Sequence, residues 1–69
     1  MQEICIRDEF IKLGQVLKLA GVVEDGVEAK YVSAEGLVKV NGEVDVRRGR
    51  KVYEGDVISY DGNEIKVIR

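Results

Sequence analysis

The stretch LVKVNGEVDV, residues 37–46, constrains the fold more than any other part of the chain. Valine alternates with other residues on both sides of Asn41-Gly42. The two central residues of the tightest hairpin turns need positive φ, which Asn and Gly tolerate better than other residues. The pattern therefore predicts two antiparallel strands joined by a two-residue turn. The alternating valines are Val38, Val40, Val44 and Val46.

The remainder of the C-terminal half keeps the same period of two. Turn-forming residues interrupt it at EGD (54–56) and at DG (61–62), with alternating apolar residues between and after them. The segment QEICIR at 2–7 places Ile4 and Ile6 on one face of another short strand. We therefore expect an N-terminal strand and, from residue 37 onward, a meander of about four strands that includes VY at 52–53.

A first short helix is predicted from the segment KLGQVLKLAG. Its apolar residues recur at i, i+3, i+4 and i+7 from Leu13 to Ala20, which is the stripe of a helix that buries one side. Gly21 supplies a stop signal. Lys12 and Lys18 lie off the stripe, so we expect both to face solvent or a ligand.

A second short helix begins after Asp25. The Asp25 side chain can accept a hydrogen bond at the helix start, and Glu28 can reach back to the backbone N–H of Asp25, as in a capping box. Gly36 ends the helix. Three residues are predicted to share its apolar face: Val27, Tyr31 and Ala34.

The element order predicts an α+β fold, in which two short helices pack on a small, mainly antiparallel sheet of four to five strands. The 69 residues suffice for one domain, 1–69, near the lower size limit for a single apolar core. The chain contains no Pro and no low-complexity run that predicts a linker.

The residue inventory argues against catalysis. There is no His and only one Cys, so neither a metal-ligand cluster nor a Cys/His or Ser/His pair can form. We expect no enzyme activity, no metal and no cofactor, and we expect Cys5 to be a small half-buried residue. No apolar run reaches the length of a signal peptide or a membrane span. A monomeric, cytoplasmic protein without membrane contact is therefore the expectation.

Charge is distributed unevenly along a chain whose net charge is −2. Residues 1–29 and 52–69 are acidic, whereas residues 30–51 carry a net charge of +3. Four of the eleven basic residues lie within RRGRK, at 47–51. Arginine engages phosphate oxygens through two parallel hydrogen bonds, so this cluster predicts a polyanionic partner.

The nature of that partner follows in part from the aromatic residues. Binding of single strands by stacking needs exposed aromatics among the cations. Tyr31, Tyr53, Tyr60 and Phe10 are available, and the alternation predicts core or half-core positions for most of them. The pattern thus favours recognition of an RNA backbone and its shape. Neither helix is long or basic enough to read a DNA major groove. An acidic protein surface remains an alternative partner for the basic loop.

The order of motifs resembles a known family. AKYVSAEGLVKVNGEV (29–44), then RRGRK, then VYEGDVI (52–58) is similar to the RNA-binding domain of the small-subunit ribosomal protein S-four superfamily, called the alpha-L motif. The resemblance covers about residues 12–59 and is closest to the small stand-alone YaaA/YbcJ-like branch. The family's usual Asp at position 14 and its Arg at position 26 are both Gly here, so those two contacts are not carried over.

The resemblance implies a non-enzymatic module that binds structured RNA in the groove between the helical pair and the hairpin. Its partner is expected to be ribosomal RNA or a ribosome assembly intermediate, with ribosomal proteins as further partners. Gln15 and Lys18 are secondary candidates for RNA contact. The primary candidates are Lys12, Lys30, Asn41, Arg47, Arg48, Arg50 and Lys51.

Overall fold

The computed structural model describes residues 1–69, which form two helices, a five-stranded sheet and a two-stranded ribbon. In chain order the elements are β1 (Gln2–Cys5), β2 (Ile11–Lys12), α1 (Leu13–Leu19), α2 (Gly26–Ala34), β3 (Val38–Val40), β4 (Glu43–Val44), β5 (Lys51–Val52), β6 (Val57–Tyr60) and β7 (Asn63–Ile68).

The sheet has the strand order β1-β7-β6-β3-β4. Only β1 and β7 run parallel, and the other three pairs are antiparallel. The predicted class, two helices on a small and mainly antiparallel sheet, is therefore confirmed. The predicted hairpin is also present: Asn41 and Gly42 have φ of 52° and 85°, as a two-residue turn between right-handedly twisted strands requires.

The prediction that residues 52–53 belong to the meander is wrong. β5 does not join the sheet but pairs antiparallel with β2, which places Ile11 opposite Val52 and Lys12 opposite Lys51. Ile11 and Val52 are both buried in this arrangement. The pairing thus removes two apolar side chains from water, which favours it over an extension of the sheet edge. As a result, residues 45–50 cross from the edge of the sheet to the ribbon beside α1.

Helix α1 forms as the sequence predicts. Leu13, Val16 and Leu17 are fully buried, and the chain leaves the helix through Gly21 at a φ of 73°. Lys12 and Lys18 are exposed, as expected for residues off the apolar stripe.

Helix α2 has the predicted ends but a different buried face. The Asp25 carboxylate accepts a hydrogen bond from the backbone N–H of Glu28 at 2.9 Å, which confirms the cap. The Glu28 carboxylate, however, accepts from the backbone N–H of Glu24 at 2.6 Å and not from that of Asp25. The predicted apolar face is wrong, because the helix packs through Ala29, Val32 and Ser33. The predicted residues Val27, Tyr31 and Ala34 are exposed.

The core lies between the two helices and the inner face of the sheet. It contains fifteen buried apolar side chains, none of them aromatic. Cys5 is exposed, not half-buried as predicted. The prediction of core or half-core positions for most of the four aromatics holds for only two of them: Tyr60 packs against the core and Phe10 is half-buried, whereas Tyr31 and Tyr53 are 63% and 43% exposed. No helix has the length and apolar character needed to cross a membrane.

Candidate nucleic-acid interface

Asp45 organises the basic loop. One of its carboxylate oxygens accepts hydrogen bonds from the backbone N–H and Nε of Arg47, at 2.9 and 3.2 Å. The other oxygen accepts from Nη2 of Arg47 and pairs with Nε of Arg50, each at 2.9 Å. The Asp45 side chain is only 11% exposed, whereas that of Arg47 is 71% exposed. One acidic residue thus holds two of the three arginines.

This arrangement shifts the ionisation of Asp45. The pKa of its carboxyl lies below the ordinary 3.8, chiefly because the Arg47 side chain donates hydrogen bonds to it. Partial burial opposes the shift, while the backbone N–H of Arg47 and the positive charges of Arg47 and Arg50 reinforce it. Asp45 therefore stays charged, and the loop stays clamped, under weakly acidic conditions. Nη1 of Arg50 is buried and has no hydrogen-bond partner, so the contact with Asp45 is what balances the burial of this guanidinium.

The backbone of the loop docks on the first turn of α1. The N–H of Leu13 donates to the carbonyl oxygen of Arg50 at 2.9 Å, and the N–H of Gly14 donates to that of Arg48 at 2.8 Å. These bonds satisfy two helix-start donors that have no partner within the helix. A Cβ on Gly14 would lie 3.4 Å from the Arg48 carbonyl oxygen and 3.6 Å from Cβ of Ala29. Loop, α1 and α2 therefore converge at Gly14.

An open cleft of about 350 Å³ lies where these three elements converge. Lys12, Gln15 and Lys18 line one side of it, spaced three residues apart from the N-cap of α1 into the helix. Arg48 and Gly49 line it from the loop. No carboxylate lines the cleft. Both ion pairs of the structure end on Asp45, so the three basic side chains of the cleft have no acidic partner.

The solvent face of the ribbon extends this basic surface. Lys12 and Lys51 are directly opposed in the β2–β5 pair, and neither pairs with an acid. Like charges placed opposite each other destabilise a strand pair. The Lys51 ammonium lies 4.8 Å from the centre of the Phe10 ring, which contributes a cation–π attraction. The Phe10 and Tyr53 ring centres are 6.1 Å apart at a tilt of 52°.

Five of the nine predicted candidates do not line the cleft. Three of them, Arg47, Arg50 and Lys51, are described above, and the other two are Asn41 and Lys30. Asn41, in the β3–β4 turn, donates from its side-chain amide to Asp56 at 2.9 Å and accepts from the backbone N–H of Val57 at 2.9 Å. These bonds tie the hairpin turn to the turn before β6. Lys30 is exposed on α2 one helical turn after Gly26, which borders the cleft. The structure thus gathers Lys12, Gln15, Lys18 and Arg48 at the cleft, with Lys51 beside it.

Sequence reasoning missed the role of Asp45 and the exposure of the aromatic pair. The spacing Asp45-x-Arg47 is typical of an Asp that accepts from the backbone N–H two residues on, so the first part of the clamp had a local signal. The placement of the half-buried Phe10 beside the exposed Tyr53 had none, because it depends on the pairing of two strands of two residues each.

Comparison with known proteins gives consistent similarities. Residues 4–68 match the family model described as S4 domain. The "Probable ribosome maturation protein RlbA" of Bacillus subtilis is 52% identical over 59 residues, which cover 86% of this chain and 83% of that protein. The "Putative RNA-binding protein YbcJ" of Escherichia coli is 40% identical over 58 residues, which cover 84% of this chain and 83% of that protein.

Two solved structures are similar in fold. The solution structure of YbcJ from Escherichia coli, described as having an alfaL motif involved in RNA binding, superposes with a TM-score of 0.77 at 34% identity. That match covers 100% of this chain and 89% of YbcJ. The 30S ribosomal protein S4e of Thermoplasma acidophilum gives a TM-score of 0.65 at 31% identity, over 84% of this chain and 31% of that protein.

Proposed function

Because the chain belongs to the S4 domain family, as its motifs suggest, we propose that it is a non-enzymatic module that binds structured RNA. The single observation that carries this proposal is the cleft with three basic side chains and no carboxylate. The Escherichia coli relative YbcJ is described as a putative RNA-binding protein and its solution structure as having a motif involved in RNA binding, and both descriptions support the same ligand class.

The proposed mechanism is electrostatic docking on the RNA backbone. Lys12, Lys18 and Arg48 neutralise phosphates and release the counterions condensed on them. Gln15, a neutral donor between Lys12 and Lys18, contributes a hydrogen bond to a phosphate or a ribose hydroxyl. Because the loop is bonded to α1 and clamped by Asp45, the cations are held at fixed spacing before RNA arrives, which reduces the entropy lost on binding.

The other candidates have supporting roles in this proposal. Lys51 and Lys30 flank the cleft and lengthen the path of the RNA backbone. Arg47 and Arg50 place the loop through Asp45, and the exposed guanidinium of Arg47 is also open to phosphate. Asn41 is the weakest candidate for contact, because both functional groups of its side chain already bond within the protein.

The experiment is a comparison of two triple variants. The first variant removes all three positive charges of the cleft through Lys12→Ala, Lys18→Ala and Arg48→Ala. Lys39→Ala, Lys66→Ala and Arg69→Ala remove three exposed cations that likewise have no ion-pair partner but lie away from the cleft, so the change in net charge is matched.

At about 0.15 M salt, we expect the cleft variant to bind a labelled RNA hairpin roughly 50- to 150-fold more weakly, because three counterion-releasing contacts are lost. The control variant should stay within about threefold of wild type, because charges away from a contact act only through the screened long-range field. An equal loss in both variants would show that general charge and not the cleft binds the RNA.

The finer part of the proposal is that the RNA is ribosomal, in a ribosome or an assembly intermediate, in the cytoplasm of a bacterium. Its support is the name of the Bacillus subtilis relative. Crosslinking in cells followed by sequencing of the bound RNA tests it. We expect enrichment of ribosomal RNA over its share of total RNA, and the absence of enrichment would contradict this part.

An acidic protein surface is the competing partner class, since unpaired cations also attract carboxylates. Affinity capture from a bacterial lysate, with and without ribonuclease, separates the two. Release of the captured ribosomal components by ribonuclease supports RNA binding. Complexes that survive complete digestion of the RNA favour protein contact.

A further inference from the structure

The exposed face of the β2–β5 ribbon carries two aromatic side chains, which binding of an RNA backbone alone does not require. Ile11 and Val52 are buried in the core, so Lys12 and Lys51 lie on the opposite face of the ribbon. Phe10, just before β2, and Tyr53, just after β5, share that face, because the Phe10 ring contacts both Lys51 and Tyr53. Lys12 also borders the cleft. Two aromatic rings are therefore continuous with the proposed phosphate-binding surface.

The contacts on this face give the Phe10 and Tyr53 rings different roles. Phe10 is half-buried, the Lys51 ammonium covers its ring, and it meets Tyr53 at a tilt of 52°. Tyr53 is 43% exposed, and its backbone N–H donates to the Asp56 carboxylate at 2.9 Å. Phe10 thus braces Tyr53 from the side, and the Asp56 bond fixes the backbone that carries it. The Tyr53 ring remains available to a ligand.

The surrounding charges explain why Tyr53 and not Tyr31 suits this role. Tyr31 is more exposed, at 63%, but it borders a shallow groove lined by the acidic residues Glu24, Asp25 and Glu28. Those carboxylates repel a phosphate backbone. Tyr53 instead lies on the face that holds Lys12 and Lys51, and the Asp56 carboxylate at its backbone already accepts hydrogen bonds from the Tyr53 N–H and the Asn41 amide. A base can stack there while its own phosphates meet ammonium groups.

We propose that an unpaired base of the bound RNA stacks on Tyr53, while the flanking phosphates lie against Lys12 and Lys51. Bases inside a duplex are already stacked on each other, so only a bulged, looped or junction nucleotide can occupy this position. The preferred ligand is therefore a duplex interrupted by an unpaired nucleotide. This inference rests on the proposed RNA-binding function and specifies the class of RNA.

The experiment uses two RNA hairpins that differ by one nucleotide, each closed by a hexaethylene glycol linker so that the loop offers no unpaired base. One has a fully paired stem, and the other has the same stem with a single bulged 2-aminopurine. Binding of each to wild type, Tyr53→Ala, Tyr53→Phe and Tyr31→Ala is measured by titration. Tyr53→Phe keeps the ring and loses only the hydroxyl, and Tyr31→Ala removes an exposed ring elsewhere.

Wild type should bind the bulged hairpin more tightly than the paired one. Tyr53→Ala should weaken binding to the bulged hairpin by about 5- to 150-fold, the range for loss of one stacked base, and leave the paired hairpin within about twofold. Tyr53→Phe and Tyr31→Ala should match wild type. With wild-type protein alone, stacking should quench the 2-aminopurine fluorescence, so the readout does not depend on any variant folding.

The possible failures are distinguishable. If wild type binds neither hairpin, the proposed function itself falls. If wild type binds both hairpins equally, with unchanged 2-aminopurine fluorescence, RNA binding stands and the stacking site is overturned. A Tyr53→Ala variant that is as stable as wild type but weakens both hairpins equally also overturns the stacking site.

Discussion

Substitution of Asn41 distinguishes a structural role of this side chain from a role in RNA binding. Its amide donates to Asp56 and its carbonyl accepts from the N–H of Val57, both at 2.9 Å, and its φ of 52° lies in the left-handed region. The perturbation is a pair of variants: Asn41→Gly removes the two bonds but tolerates the φ, and Asn41→Ala removes the bonds and adds backbone strain.

The expected magnitudes follow from these contacts. A hydrogen bond to a neutral partner contributes about 0.5–1.5 kcal/mol and one to a charged partner about 1.5–3 kcal/mol, with exposed bonds at the lower end. Asn41→Gly should therefore lower the free energy of unfolding by about 1–3 kcal/mol. Asn41→Ala should lower it by a further 1 kcal/mol or so, the strain of a Cβ at positive φ.

The assay is urea and thermal unfolding followed by circular dichroism, combined with RNA titration at a temperature where all variants are folded. For a domain of this size each kcal/mol shifts Tm by roughly 4–8 °C. RNA affinity should change by less than about twofold, because the cleft is untouched. The result that refutes the reasoning is unchanged stability together with weaker RNA binding, which would make Asn41 a contact residue and not a tether.

The remaining predictions concern the loop and its seat on α1. Hydrogen bonds from the Arg47 side chain are the main cause of the lowered pKa of Asp45 in the folded state. The stability that the Asp45 carboxylate contributes is therefore complete above its ordinary pKa of 3.8 and is lost as the pH falls through its folded-state pKa. Asp45→Asn should thus be less stable than wild type in urea at neutral pH, with the difference shrinking below pH 3.8; a difference that does not depend on pH would contradict the clamp. Gly14→Ala should leave both stability and RNA affinity near wild type, because the new Cβ meets Arg48 and Ala29 at 3.4 Å or more and Ala favours a helix by about 0.5–1 kcal/mol. Gly14→Leu should displace the loop and weaken RNA binding, and wild-type affinity of that variant would contradict the convergence at this residue.

Sequence patterns correctly predicted the turns, the helix cap and the helix ends. The Asn41-Gly42 turn, the Asp25 cap and the Gly21 and Gly36 helix ends each depend on the φ preferences or side-chain oxygens of one or two residues. All are predictable from the sequence, and all are present. The fold class follows from their order, since two short helices and a hairpin-rich segment have few ways to share one core.

The features that could not be predicted from the sequence depend on contacts between residues that lie far apart in the chain. The β2–β5 ribbon consists of two strands of two residues, too short for any period to show. Its formation depends on Ile11 and Val52 meeting across the molecule. The buried face of α2 was misassigned because Val27 and Tyr31 fit the helical spacing, whereas close packing at Gly14 selects the small side chain of Ala29.

The candidate site was predictable as a region and not in its internal roles. RRGRK stands out by charge alone, and Lys12 and Lys18 stand out by their position off the apolar stripe. Composition gives no reason to treat Arg47, Arg48 and Arg50 differently. Only the structure separates the two arginines held by Asp45 from Arg48, which faces the cleft unpaired.

The salt dependence of RNA affinity, compared between wild type and the two triple variants, decides whether the RNA backbone docks in the cleft. Four to six phosphate contacts predict a slope of log affinity against log salt of about −3 to −5 for wild type, at 0.7–0.9 per phosphate. The cleft variant should lose about 2–3 of that slope, and the control variant, with the same net charge, should lose none. A flat dependence in wild type, or equal slopes in all three proteins, would contradict docking of the RNA backbone in this cleft.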